Sequence, residues 1–400
     1  MPSDLWLIAL FTIATGVAII AKKLRVPYTV SLVLAGLVLG PTHLVTPPDL
    51  GQGLLYSIFL PGLLFEASYH IAPEDLRTTK TSIVALAVPG VVVGMLLTAG
   101  MLALAGRTVA GEALPFQYAL VFAAIVAATD PIAVVALFKE IGAPRRLGVL
   151  VEGESLLNDG TAIVLFSVVM AVVGGGEASW ASGSLFFLRV VGVGVAVGAV
   201  FGLAASFVMK RVEDVRIEIT LTTIAAYGSF AVAEHVHGSG VLATVTAGLI
   251  CGGYAARVAM TEASRHAVAG FWEYVAFALN SLVFLLVGFT VDARALIAHW
   301  DVIAIAFVVS TVARAIVVYF VSFALRRTRE SIPWSWAAVI TWGGLRGALS
   351  MVLALALPKA FPHRESIIAM TFGVVILSLF VQGLSVTRLL RWLRIATPSG

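Results

Sequence analysis

The chain has 400 residues, of which 60% are hydrophobic and 12% charged, and its mean hydropathy is +1.01. That apolar fraction lies far above the usual range for soluble domains and reads as a polytopic membrane protein. The single cysteine, Cys251, forms neither an internal disulfide nor a thiolate metal cluster, and a pI near 9.3 points to nucleic acid only if the basic residues gather in one patch.

Apolar spans of about 20 residues, as a hydrocarbon core about 30 Å thick requires, recur from end to end. Thirteen are expected, over 4–21, 28–45, 51–70, 81–106, 115–138, 147–173, 184–209, 217–236, 239–256, 267–290, 301–325, 333–357 and 365–387. The connections are short and rich in Gly, Pro and charge, as in "FKEIGAPRRLG" and "LRRTRESIP". The fold class expected is therefore an all-α transporter unit over 1–400 with no soluble domain. The first span is not expected to be a cleaved leader, because "MPSD" carries acid where a basic segment would stand.

Lys and Arg are retained on the cytoplasmic side. With the N-terminus outside and the C-terminus cytoplasmic, 19 of 26 basic residues fall in cytoplasmic connections, four in outer ones and three (Arg189, Arg314, Arg346) inside spans. This asymmetry supports a multi-pass protein of the cell (inner) membrane in contact with lipid, and it leaves no basic patch for nucleic acid. Six spans on either side of a linking helix at 184–209 give sets, 1–173 and 217–400, that start on opposite faces. That is the topology of two inverted six-helix repeats.

Polar residues inside spans are costly in lipid and mark function. In the fifth span, "VFAAIVAATDPIAVVALF", Thr129 and Asp130 precede Pro131. Proline lacks a backbone donor and pushes the preceding residue out of the helical region, so the helix is predicted to break there. The break frees carbonyls such as that of Thr129, which with the carboxylate make hard oxygen ligands for a cation. The other reading of Asp130 is a cap on the second half-helix. In the sixth span, "EGESLLNDGTAIVLF" holds Glu154, Ser155, Asn158 and Asp159. Asp159 lies roughly 18 Å from the start of that span, and Asp130 roughly 12 Å from the cytoplasmic end of its own, so the two carboxylates can meet. Ser155 shares a face with Asp159, and Glu154 with Asn158 on an adjacent face.

Two later spans supply positive charge. Arg314 lies in "STVARAIVVYF" and Arg346 in "TWGGLRGALS", where Gly343, Gly344 and Gly347 predict a second broken helix. The fifth and twelfth spans hold corresponding places in the two halves, and paired interruptions point to a midplane site. From the residues alone, Glu154 pairs with Arg314 or Arg346. Arg346 has the further option of sitting at the carbonyl end of a broken helix as a fixed counter-charge.

With "ATDP", "EGESLLNDG" and "WGGLRGALS" in this order on these spans, the chain resembles the sodium/proton exchangers of the cation:proton antiporter-1 family, NhaP type. The resemblance covers essentially the whole chain. It implies thirteen helices with crossed, unwound fifth and twelfth helices, and a homodimer. It implies that Asp159 alternately holds Na+ and a proton, with Asp130, the Thr129 carbonyl and Ser155 completing the cation shell. Glu66 of "FLPGLLFEASYH" takes the acidic position of the third span, and Glu154 pairs with Arg314. Asn158 stands where a second aspartate would add a titratable group, which implies electroneutral one-for-one exchange. The residues alone leave stoichiometry open, since Glu66 and Asp130 are also acids. Regulation through a long cytoplasmic tail like that of the animal exchangers is not expected.

The function expected is secondary antiport of Na+ or Li+ against H+, with pH homeostasis as its use and no cofactor beyond the transported ions. No enzymatic role is expected, since the aspartates lack a nucleophile or a metal-ligand His motif. A K+/H+ antiporter of the same fold is the alternative, and a cation channel a more distant one.

Overall fold

The computed structural model describes residues 6–24, 28–40, 55–71, 73–108, 114–174, 180–290 and 293–395, and all regular structure among them is helical. In chain order the helices are α1 (Trp6–Leu24), α2 (Tyr28–Leu39), α3 (Leu60–His70), α4 (Pro73–Ala85), α5 (Val91–Thr108), α6 (Phe116–Ile125), α7 (Ile132–Ile141), α8 (Arg145–Val173) and α9 (Trp180–Met209). They continue as α10 (Val215–His235), α11 (Gly240–Ile250), α12 (Glu262–Thr290), α13 (Ala293–Ala298), α14 (Trp300–Leu325), α15 (Trp334–Trp342), α16 (Ala348–Leu355), α17 (Arg364–Leu377) and α18 (Leu384–Trp392). Each of the thirteen expected spans carries helix. The end of the second and the start of the third, within 41–54, lie outside the described residues.

Seven of the described helical segments are both long and apolar enough to cross a membrane. The fifth and twelfth expected spans fall short of that length because each is split, into α6 and α7 and into α15 and α16. Prolines set several helix starts. Pro115 and Pro333 stand immediately before α6 and α15, where a missing N–H costs nothing. Asp214 opens α10 by accepting the amides of Arg216 and Ile217 at 2.8 and 3.2 Å. Pro89 falls inside the fourth span and is accommodated by a wider, π-type turn at Leu86–Gly90, between α4 and α5.

The chain divides into two compact units. The first comprises Met1–Asp49, Thr81–Val173 and Ser281–Gly400, and the second Leu50–Lys80 and Gly174–Asn280. Within the second, Phe65, Tyr69, Met209, Cys251 and Trp272 are buried together. The rings of Phe65 and Trp272 lie 4.5 Å apart, and the Trp272 indole N–H donates to Thr222 Oγ1 at 3.1 Å, as a buried indole requires. Near its edge Arg257 grips the exposed Glu74 with both nitrogens of its fork, which holds that carboxyl well below the usual range, at about 2. Within the first unit both broken helices are brought together with α8 and α14, and there the polar residues of the spans collect.

Candidate functional site

The site is built where two helices stop. α6 ends at Ile125 and α7 begins at Ile132, with Pro131 at its N-cap, as the missing donor and crowded ring of proline dictate. The Asp130 side chain accepts the amide of Ile132 at 3.1 Å through Oδ1, so it does cap the second half-helix. A carboxylate has a second oxygen, and capping leaves that one for other work. In the other broken helix, α15 ends at Trp342 and α16 starts at Ala348. The two breaks meet directly: the backbone N–H of Asp130 donates to the carbonyl of Leu345 at 2.7 Å.

Glycine is required on both sides of this meeting. A β-carbon on Gly347 would run into the side chain of Asp130, and one on Gly344 into the guanidinium of Arg314. The glycines that signal the break in the sequence therefore also clear space for the two charged residues.

Helix α8 lies alongside and brings its polar stretch to the first break. Ser155 Oγ donates to the carbonyl of Thr129, and both residues are buried. Asp159, one turn further on, is in electrostatic range of Asp130 and Glu154, and its Oδ1 is buried with no hydrogen-bond donor. Of the five residues marked for the cation or proton from the sequence, Thr129, Asp130, Ser155 and Asp159 stand together within the first unit, and Glu66 belongs to the second.

Asn158 does more than mark a missing carboxylate. Its Nδ2 donates to the carbonyl of Ala127 at 3.0 Å and to Thr129 Oγ1 at 3.1 Å, and it reaches Glu154 Oε1 at 3.4 Å. The side chain is fully buried and ties α8 to the unwound segment.

The two arginines have different seats. Arg314 makes a fork-to-fork pair with Glu154, at 3.1 Å from Nη1 and 3.0 Å from Nη2, and its Nε and Nη2 also reach the carbonyl of Ile340 at 3.2 and 3.1 Å. With Glu154 only 3% and Arg314 only 12% exposed, this is a buried ion pair. Arg346 donates through Nη1 to the carbonyls of Val126, Ala127 and Ala128. Each arginine therefore sits on the carbonyl end of a half-helix, α15 for Arg314 and α6 for Arg346, where the unpaired carbonyls and the negative end of the dipole lie. Of the placements the sequence left open for Arg346, the structure has the counter-charge.

Glu66 belongs to the second unit, on α3. There His70 faces two carboxylates, with Nδ1 3.3 Å from Glu66 and Nε2 3.6 Å from Glu273 of α12. Sequence reading missed Glu273 because nothing in one chain relates residues that far apart, and it passed over His70, although its place one turn from Glu66 was readable from the spacing. It also missed Ser378, whose Oγ accepts the Arg346 backbone N–H at 3.0 Å, and the Ile340 carbonyl. The latter was readable in principle: when Gly343 and Gly344 end α15, the carbonyls of its last turn lose their partners.

Paired interruptions, buried carboxylates beside freed carbonyls, and fixed positive charge at the helix ends define a membrane carrier for a hard cation. The description "Sodium/hydrogen exchanger, transmembrane" matches residues 7–392, and the chain belongs to that family. It is 39% identical over 363 residues to the Na(+)/H(+) antiporter ApNhaP of Aphanothece halophytica, covering 90% of this chain and 68% of the relative. It is 35% identical to the Na(+)/H(+) antiporter NhaH of Halobacillus dabanensis, over 96% of both. In fold it matches the structure of the sodium proton antiporter MjNhaP1 from Methanocaldococcus jannaschii, with a TM-score of 0.81 over 97% of both chains at 20% identity.

Proposed function

We propose that this exchanger carries Na+ or Li+ against H+ by alternating access at a single carboxylate site, one cation for one proton. The observation that supports this most directly is Asp159, whose Oδ1 is buried without a donor while Asp130 stands within electrostatic range. An ionised carboxylate removed from water has to be neutralised. Here the neutraliser is either a proton on Asp159 or a cation shared by Asp159, Asp130, Ser155 and the Thr129 carbonyl, which are hard oxygen ligands of the kind such ions take. The two exclude each other. If access changes only when the site holds one or the other, exchange is obligatory.

Glu154 has a separate duty in this reading. Held by both nitrogens of Arg314, it ties α8 to α14 and does not exchange ions. The cell membrane, with an outer N-terminus and a cytoplasmic C-terminus, is the setting we infer from the distribution of Lys and Arg. Assembly as a homodimer rests on the family resemblance.

The test is reconstitution into vesicles with an imposed pH gradient, adding Na+, Li+ and K+ in turn. Saturable dissipation by Na+ and Li+ that vanishes without an added cation is the expected result. Dissipation by K+ alone would replace the ion, and single-channel currents would replace the mechanism.

A further inference from the structure

The first unit holds a cavity of about 50 Å³ that the exchange chemistry does not use. Glu154, Asn158, Arg314 and Arg346 line it together with Thr98 and Ser310. Leu86 and Gly90, from the wide turn that Pro89 imposes on the fourth span, also border it, so a local widening of one helix accompanies the space.

One of these lining residues has an unpaired buried atom. The Nδ2 of Asn158 is fully engaged, but its Oδ1 is buried without a hydrogen-bond partner. Turning the amide over would set that oxygen against the Ala127 carbonyl and the Glu154 carboxylate, so the surrounding network fixes its direction. The occupant of the cavity has to donate to Asn158 Oδ1.

Charge narrows the choice further. Two guanidinium groups on the wall reject a cation, while Asn158 Oδ1 and Glu154 reject an anion. An apolar guest would leave the orphan acceptor unpaired, at the cost of a buried polar group without a partner. A small neutral molecule that both donates and accepts meets every condition, and about 10–15 Å³ of accessible volume is enough for one water.

We propose that this cavity is a permanent water site, in which water donates to Asn158 Oδ1 and to Ser310 Oγ, whose own hydrogen goes to the Phe307 carbonyl, and accepts from the arginine heads. The water holds the amide in the direction that ties α8 to the unwound segment. The proposal is independent of which ion the carrier moves.

Met95, only 7% exposed, also lines the cavity, whereas Met351 and Met370, each 2% exposed, do not. Pulsed radiolysis of the full chain in lipid nanodiscs generates hydroxyl radicals from bound water in place and oxidises adjacent methionine sulfur. Met95 is expected to oxidise severalfold faster than Met351 and Met370. In Gly94→Val, which adds a side chain at the lining, the rate should fall to that of the two controls, with an intermediate rate in Gly94→Ala. The alanine variant fits without strain, since its β-carbon would meet Val317 at 3.7 Å. Oxidation of Met95 no faster than that of the controls in the unaltered protein overturns the proposal. Equal Met95 oxidation in all three proteins overturns it too, because the radical would then arrive from elsewhere.

Discussion

Asp159 and Glu154 are five residues apart, Glu154 buried and Asp159 with a buried carboxylate oxygen, yet their partners predict opposite results on substitution. Asp159 has no fixed cation beside it, so Asp159→Asn removes a charge the fold does not rely on. The variant should elute as folded protein and show no cation-dependent dissipation of a pH gradient; exchange at the normal rate would refute the site. Glu154→Ala leaves Arg314 buried without its carboxylate, an uncompensated charge worth about 3–5 kcal/mol, and should appear as a loss of thermal stability and yield. Glu154→Arg should be partly rescued by Arg314→Glu. It should not be rescued by Arg346→Glu, because a carboxylate at 346 would face the three carbonyls that now hold the guanidinium. Competition at Asp159 also has a sign. Raising the pH removes the rival proton, so the apparent KM for Na+ should fall as pH rises through the titration of the site. A KM flat across pH would mean that cation and proton bind at different places.

The broken helices were legible because their punctuation is local: Pro131 removes a donor, and the cluster Gly343, Gly344 and Gly347 removes the side chains that hold a helix in register. What the two breaks do to each other was not legible. That Asp130 N–H finds the Leu345 carbonyl depends on which helices lie side by side, and a single sequence read alone carries no such pairing; for Glu154 the residues offered two arginines and only the family resemblance named Arg314. Asn158 illustrates the limit. Its type pointed to an absent carboxylate, while its three hydrogen bonds come from tertiary packing. At this scale the glycines make the sharpest test. Gly344→Ala drives a methyl into the Arg314 guanidinium, and overpacking of this kind costs about 1–3 kcal/mol. Because the strain falls on the Glu154 pair, the variant should lower the melting temperature and slow transport together, whereas alanine at Gly16, where nothing lies within 4 Å, should do neither.

At the scale of the whole molecule, composition and spacing were enough for an all-α polytopic membrane protein, since a bilayer admits few ways to satisfy a backbone. The division into two compact units was not readable, because both are assembled from separated stretches of chain. One-for-one exchange predicts that the equilibrium cation gradient in vesicles tracks the pH gradient and ignores a clamped membrane potential; an equilibrium that moves with potential would require unequal charge on the two strokes. The seating of the arginines bears on this directly. Glu154 faces both arginines, and Asp159 lies in electrostatic range of Glu154 and Asp130, so along this chain of contacts three ionised carboxylates stand against two guanidinium groups and leave one net negative charge. A single Na+ and a single proton each bring it to zero. On the proposed reading, the loaded forms are thus electrically alike, and the empty form alone carries a charge into surroundings that resist it. The balance of five side chains would then explain both why the carrier moves loaded and why its two cargoes are interchangeable.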